Sequence, residues 1–188
     1  MGLHSGIMRA ILSAIEGEWR RYKVLGDRAL QQLRDDELGK TGPGNNNSIA
    51  VIVVHISGNL KSRFTDLLTT DGEKSWRDRD SEFEPRPDIT RKDLMEAWNG
   101  GWKTLFDALE PLSDDDLFRP ITIRGESFPV HESLQRLLAH TSYHVGQLVY
   151  LAKSYRGDDW DCLSIPLGKS QEFNRSSGRQ RPPGKNEI

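Results

Sequence analysis

The sequence contains one cysteine, Cys162, in 188 residues, so it cannot form an internal disulfide. Chains without disulfides are typical of reducing compartments, and the first residues show no basic segment followed by an apolar core of the kind that directs secretion. The longest uninterrupted apolar run, residues 49–54, is far shorter than the ~20 residues that a membrane-spanning helix needs. We therefore expect a cytoplasmic protein that does not cross a membrane.

The sequence also lacks a large excess of charge of either sign. The chain has 26 Lys and Arg residues and 28 Asp and Glu residues, which leaves a net charge of -2. This balance gives no electrostatic attraction to nucleic acids or to anionic membranes. Glycine-rich phosphate loops and a Gly-x-Ser-x-Gly motif are absent too. We expect no nucleic-acid partner and no nucleotide-binding or serine-hydrolase site.

Apolar residues recur every three or four positions in four long segments, the pattern of amphipathic helices. These segments cover residues 5–33, 48–69, 90–109 and 129–155. In the second segment, four consecutive β-branched residues at 51–54 would favour a buried strand. The helical spacing continues too far for a typical strand, so we predict a helix there. Gly100 and Gly101, inside the third segment, predict close packing of that helix.

The segments between these helices are less regular. Residues 71–89 are rich in charge, proline and glycine and predict a long loop between helices two and three. Residues 121–126 alternate and then turn, which predicts a short strand or hairpin before helix four. We expect an all-α fold, an up-and-down four-helix bundle, as one domain over residues 1–174. The polar tail at 175–188 is predicted to be disordered.

The strongest chemical signal is the pair His140 and His144 in the last predicted helix. Residues four apart lie one turn above each other on one face. The same stripe carries Leu137 and Leu148, so both imidazoles should point into the protein. Two imidazoles in this arrangement can bind one divalent metal ion. The alternative is a pair of hydrogen-bonded core histidines.

Two ligands do not hold a metal tightly, and the chain has five histidines from which a third could come. His4 lies near the N-terminus. His131 stands beside Glu132 near the start of the last helix and is expected to be exposed. His55 ends the most hydrophobic run of the chain, and it is therefore the best candidate for the third ligand.

Several polar residues near these histidines have two possible roles. Asn59, one turn after His55, could support a ligand or line a pocket, or it could bond another helix. Arg63 is predicted to pair with Asp66, three residues on, with substrate binding as the alternative. Gln147, one turn after His144, could line the pocket.

Other residues are assigned less specific roles. Cys162 is expected to be structural, because the neighbouring aspartates disfavour a thiolate nucleophile. Tyr143 is expected to serve packing or an interface. Trp76, Arg77 and Arg79 of the long loop could contact an anionic substrate or seal a dimer.

With these residues in view, the chain resembles the DinB/YfiT-like superfamily of metal-dependent enzymes, in its DUF1572 branch, over roughly residues 7–174. The resemblance rests on His55-Ile56-Ser57-Gly58-Asn59, on residues 62–66 with 71–77, on His140 to Gln147, and on residues 163–173. The His-x3-His spacing alone would not be specific to this superfamily, but the four stretches together are specific.

The resemblance implies a four-helix bundle, often a homodimer, in which His55, His140 and His144 hold a divalent ion. The ion could be Zn, Ni, Fe or Mn, since an imidazole ligand set does not select among them. The leading functional expectation is a metal-dependent S-transferase that activates a low-molecular-weight thiol for transfer to a small electrophilic substrate. The alternatives are a metal-dependent hydrolase and a non-catalytic, metal-binding, stress-linked dimeric scaffold.

Overall fold

Helices account for most of the chain. The structure is a computed structural model that describes residues 2–42, 44, 46–113 and 115–176. Within these residues, the helices are α1 (Gly2–Gln32), α2 (Asp35–Leu38), α3 (Ile49–Phe64), α4 (Arg91–Leu109), α5 (Val130–Arg156) and α6 (Ser170–Ser176). Two strands, β1 (Pro120–Ile123) and β2 (Glu126–Pro129), form an antiparallel pair before α5. The expectations of a mostly helical chain and of a hairpin before the last long helix are confirmed.

The β-branched run at residues 51–54 lies in the first turns of α3, so the predicted helix is confirmed there. Ser48 begins the helix, because its side-chain oxygen accepts a hydrogen bond from the backbone N–H of Val51. Nearly every residue of α3 is buried. Burial on all sides therefore outweighs the low helix propensity of valine and isoleucine in this segment.

Aromatic side chains join three of the long helices. The ring centroid of Trp19 in α1 lies 5.7 Å from that of Phe64 in α3 and 6.1 Å from that of Trp102 in α4. Trp98 of α4 packs edge-on against Trp102 and donates its indole N–H to Asp27 of α1 over 2.6 Å. All four rings are fully buried, so this cluster forms the centre of the core.

The helices pack in a limited set of pairs. α3 lies against both α4 and α5, and α1 lies against α5. The contact between α3 and α4 is close at Gly101, where an added Cβ would lie 2.8 Å from the Cα atom of Ser57. At Gly100, an added Cβ would meet only the end of the Lys61 side chain. The predicted close packing is therefore a property of Gly101.

The second predicted helix ends earlier than expected, at Phe64 and not at Thr69. Asp66 has a φ of 50°, in the left-handed region, and the backbone N–H groups of Thr69 and Thr70 both donate to its carbonyl. This turn stops the helix, so the prediction that Arg63 pairs with Asp66 on one helical face is wrong. Arg63 instead donates to the carbonyl of Gly72 and to the carboxylate of Glu73.

The hairpin is tied to the long loop after α3. Its two turn residues, Arg124 and Gly125, have φ values of 55° and 76°. The backbone N–H of each donates to the carboxylate of Asp71 over 2.9 Å. The loop and the hairpin therefore hold each other in place beside α3 and α5.

None of the helices that the structure describes is both long and apolar enough to cross a lipid bilayer. The predicted polar tail lies outside the described residues from residue 177 onward, and its first two residues belong to α6.

Candidate metal centre

The imidazoles of His140 and His144 meet one turn apart on α5. Their ring centroids are 4.6 Å apart and their Nε2 atoms are 3.2 Å apart. Two nitrogens that bind one tetrahedral zinc ion at 2.0–2.1 Å lie about 3.3 Å from each other. The spacing of the two Nε2 atoms therefore fits a shared ion without movement of the helix.

His55 brings the third imidazole from α3. It is 4% exposed, and its ring centroid lies 4.6 Å from that of His144 and 5.4 Å from that of His140. One nitrogen from each of the three rings lies within 4.8 Å of the other two. In the part of the chain that the structure describes, this is the one group of three or more histidine, cysteine or acidic side chains that comes together closely enough to hold a metal ion.

Glu82 orients the ring of His55. The Nδ1–H of His55 donates to Glu82 Oε2 over 2.8 Å, so the neutral imidazole carries its free lone pair on Nε2. Arg77 holds the same carboxylate with two hydrogen bonds, of 2.7 Å to Oε1 and 2.9 Å to Oε2. A carboxylate on the second nitrogen of a ligating histidine fixes the tautomer and raises the basicity of the ligand nitrogen.

Burial by itself raises the pKa of Glu82, but the hydrogen bonds from His55 and Arg77 outweigh it and place the pKa below its usual value. Glu82 is therefore a carboxylate at neutral pH, able to accept from both partners. Its approach depends on Gly58, three residues after His55 on α3, because a Cβ there would overlap the Glu82 carboxylate.

Gln147 orients the ring of His144 in the same way. The Nδ1–H of His144 donates to the side-chain carbonyl of Gln147 over 2.8 Å, so its Nε2 also presents a lone pair. Gln147 does not line the pocket next to His55 and His140. Gln147 instead holds the ring of His144 from outside that pocket, and it lines a second pocket together with Ile52 and Tyr150.

The pair on α5 is neutral at physiological pH. Burial lowers the pKa of His140 to about 4, with further lowering by the neighbouring His144 and His55. Burial also lowers the pKa of His144, although the hydrogen bond to Gln147 acts in the opposite direction. Metal ions bind the unprotonated imidazole, so the environment holds both rings in the form that binds. His140 Nδ1 is buried and makes no hydrogen bond.

A pocket of about 420 Å³ opens beside His55 and His140. Asn59 and Arg63, both suggested by the sequence as pocket residues, line it. Asn59 is 7% exposed and its Oδ1 atom has no hydrogen-bond partner. A buried carbonyl oxygen without a partner is costly, so its position at the pocket wall suits a ligand or water donor. Arg63 is fixed by Gly72 and Glu73 and forms part of the wall.

The remaining candidates from the sequence lie away from the three rings or contact only one of them. His131 packs against Phe118 and is not part of the cluster. Tyr143 is 61% exposed, with its ring 4.7 Å from that of His144. Cys162 and Trp76 are exposed and do not line the pocket beside the histidines.

Sequence reasoning missed Glu82, Arg124 and Arg136. Glu82 lies 27 residues after His55 in the loop between α3 and α4, where no periodicity marks one acid among many. The one local signal was Gly58 on the histidine face of α3, which indicates that another group approaches closely. Arg124 reaches the pocket because the hairpin folds back beside α5. Arg136 lies on α5 itself, one turn before His140, and that spacing could have indicated it.

A family model described as "Protein of unknown function (DUF1572)" matches residues 7–169. Neither the curated proteins nor the solved structures give a significant match to the chain.

Proposed function

The chain belongs to the DUF1572 family, and from that premise we propose that it is a divalent-metal-dependent enzyme whose ion is held by His55, His140 and His144. The observation that carries the proposal is the convergence of three imidazoles, two of them oriented through Nδ1, beside an open pocket. Three protein ligands leave a position for water or substrate, as catalytic sites do.

We also propose that the four long helices α1, α3, α4 and α5 form the up-and-down bundle of the DinB/YfiT-like superfamily. The packing of α3 against α4 and α5, and of α1 against α5, supports this arrangement. The location of the three histidines also fits a four-helix bundle, because metal sites in such bundles are formed by side chains on facing helices. The homodimer implied by the resemblance stays a prediction.

Thiol S-transfer is the reaction we favour at this centre. A divalent ion there would supply Lewis acidity, which lowers the pKa of a thiol or of water. Glu126, the one carboxylate among the described residues that line the pocket, is exposed to solvent at the start of β2, while Glu82 is already engaged by His55 and Arg77. Hydrolysis calls for a general base beside the reacting water. A thiol whose pKa the ion has lowered is already deprotonated, so its transfer to an electrophile has less need of a general base.

The protein's own groups would then hold the site in a reactive form. Glu82 and Gln147 keep protons on the Nδ1 atoms of His55 and His144, so that both Nε2 atoms stay available. Apolar side chains, among them Leu137, share the pocket wall with the polar groups. Zn, Ni, Fe and Mn are all compatible with imidazole ligands.

The proposal is tested by measuring the metal content of tag-free protein by elemental mass spectrometry. We expect about one divalent ion per chain in the wild type, and its loss in His140→Ala, because two imidazoles hold an ion weakly. His131→Ala removes a histidine outside the cluster and should keep the ion. Consumption of a chromogenic electrophile should then require both a small thiol and the ion.

Wild-type protein that is purified without metal and takes up none of Zn, Ni, Fe or Mn on titration would overturn the proposal. The three histidines would then be hydrogen-bonded residues of a structural core. An ion that is bound without any turnover would favour the non-catalytic scaffold.

A further inference from the structure

The pocket beside the histidines is lined mainly by basic side chains. Glu126 is the one acidic residue among the described residues that line it. Five arginines line it: Arg63, Arg77, Arg79, Arg124 and Arg136. Glu82 neutralises Arg77, and a single carboxylate, that of Glu73, is shared by Arg63 and Arg124. The pocket therefore keeps a surplus of positive charge before any metal ion is added.

Two of these arginines form the wall and are not free to move. The side chains of Arg63 and Arg77 are 7% and 2% exposed. Each is held by hydrogen bonds within the loop after α3, Arg63 at Glu73 and Arg77 at Glu82. Their charge is fixed in a poorly solvated place, where it acts more strongly on a bound ligand than a surface charge would.

Arg79 and Arg136 stand at the mouth with their guanidinium groups available. Arg136 lies over the ring of Phe128, 5.6 Å from its centroid, and forms no ion pair among the described residues. Arg79 lies over Phe83 at 5.0 Å, and its nearest carboxylate is the fully exposed Asp80 at 3.9 Å. An exposed pair at that distance contributes little. Stacking on a ring positions a guanidinium without using its N–H donors.

The ring of Phe83 connects the mouth to the metal centre. It packs against His55 with the ring centroids 4.7 Å apart, while Arg79 covers it. Arg79 is therefore one aromatic ring away from a proposed metal ligand. The unpartnered amide oxygen of Asn59 adds a neutral polar group to the same pocket.

We infer that this pocket binds a small molecule with an anionic group, a carboxylate or a phosphate, held by Arg79 and Arg136 while the rest of the molecule extends toward the three histidines. Arginine forks match both groups with paired hydrogen bonds. A volume of about 420 Å³ suits a metabolite and excludes a folded protein. This inference names the substrate class of the proposed metal enzyme and in that sense rests on the proposed function.

The test is isothermal titration of metal-free protein with inorganic phosphate and, separately, with succinate, at constant ionic strength. We expect saturable binding of at least one of the two anions. The Arg79→Gln/Arg136→Gln double variant should bind it at least tenfold more weakly, because the anion loses its charge-assisted hydrogen bonds to both guanidinium groups. Lys153→Gln removes a positive charge from an exposed position of α5 outside the pocket, and should leave binding unchanged.

Which anion binds distinguishes phosphate-bearing from carboxylate-bearing substrates, and either result supports the inference. No saturable binding of either anion, or equal weakening by Lys153→Gln, would overturn it. The metal is measured separately on the same variants. His144→Ala, at a proposed ligand that does not line the pocket, should lose the ion and still bind the anion, whereas the arginine variant should keep the ion. A chain that binds the anion but no metal would therefore refute the proposed function and leave the anion site standing.

Discussion

Glu82 determines which nitrogen of His55 carries the proton, although it lies 27 residues away in a loop. Replacing it by glutamine keeps the shape of the side chain and removes its charge. We predict that Glu82→Gln lowers the affinity for zinc by about 10–100-fold, the usual effect of losing such a partner. A chelator competition assay at neutral pH measures the change.

The matched control is Glu84→Gln, an exposed position two residues further along the same loop. It should bind zinc as the wild type does. Glu82→Gln should also be less stable, because Arg77 loses the carboxylate that pairs with it while remaining buried. If the folded Glu82→Gln protein bound zinc with wild-type affinity, the binding of zinc by His55 would not depend on the Glu82 carboxylate.

At the residue scale, the sequence was sufficient to find the three histidines. His140 and His144 were visible because helical spacing places them on one apolar stripe, and His55 because it follows the most apolar run. Their partners were harder to find. Gln147 lies one turn from His144 and was within reach of the same reasoning. Glu82 was not, because its position depends on the path of an irregular segment that has no periodicity to interpret.

Among the helices, Gly101 and Gly100 form a natural comparison. We predict that Gly101→Ala destabilises the protein by about 1–2 kcal/mol, because the new methyl group would press on the backbone of α3 at Ser57. Gly100→Ala meets only the flexible end of Lys61 and should stabilise by up to about 1 kcal/mol through helix propensity. Urea unfolding of both variants measures the difference in the free energy of unfolding.

Two results would contradict this account of the packing between α3 and α4. One is a Gly101→Ala protein at least as stable as the wild type. The other is equal destabilisation by the two substitutions, which would mean that glycine is needed for a reason common to both positions.

The positions of the helices were predictable, but one of their ends was not. Periodicity located all four long helices, and the predicted segment 48–69 begins within one residue of the start of α3. The end at Phe64 was missed because apolar spacing continues through Leu67. The turn around Asp66 depends on a left-handed backbone conformation that aspartate adopts more readily than most residues. Such a conformation leaves no trace in a hydrophobic pattern.

For the whole molecule, the centre connects α3 to α5, with the loop after α3 held at Glu82. An ion bound there would stabilise the folded state but not the unfolded chain. At a free zinc concentration of about 100 times Kd, the gain is about 2.7 kcal/mol. For a chain of this size, we predict a rise in Tm of roughly 5–10 °C in thermal unfolding followed by circular dichroism.

In this experiment His140→Ala serves as the control, since it should show no comparable rise at the same zinc concentration. Removal of the ion from the wild type with a chelator should return Tm to its metal-free value. Equal shifts in the wild type and in His140→Ala would assign the stabilisation to zinc bound elsewhere on the chain.

The three proposed ligands lie on long helices, while the group that sets the proton on His55 lies in a short 3-10 turn, Ser81–Phe83, of the loop between α3 and α4. The geometry of the centre and its electronic character are thus encoded in different parts of the chain. A substitution in the loop can retune the donor strength of an imidazole while the scaffold that spaces the rings stays intact. To change which metal the centre prefers, a designer would therefore substitute residues of the loop and leave the helices unchanged.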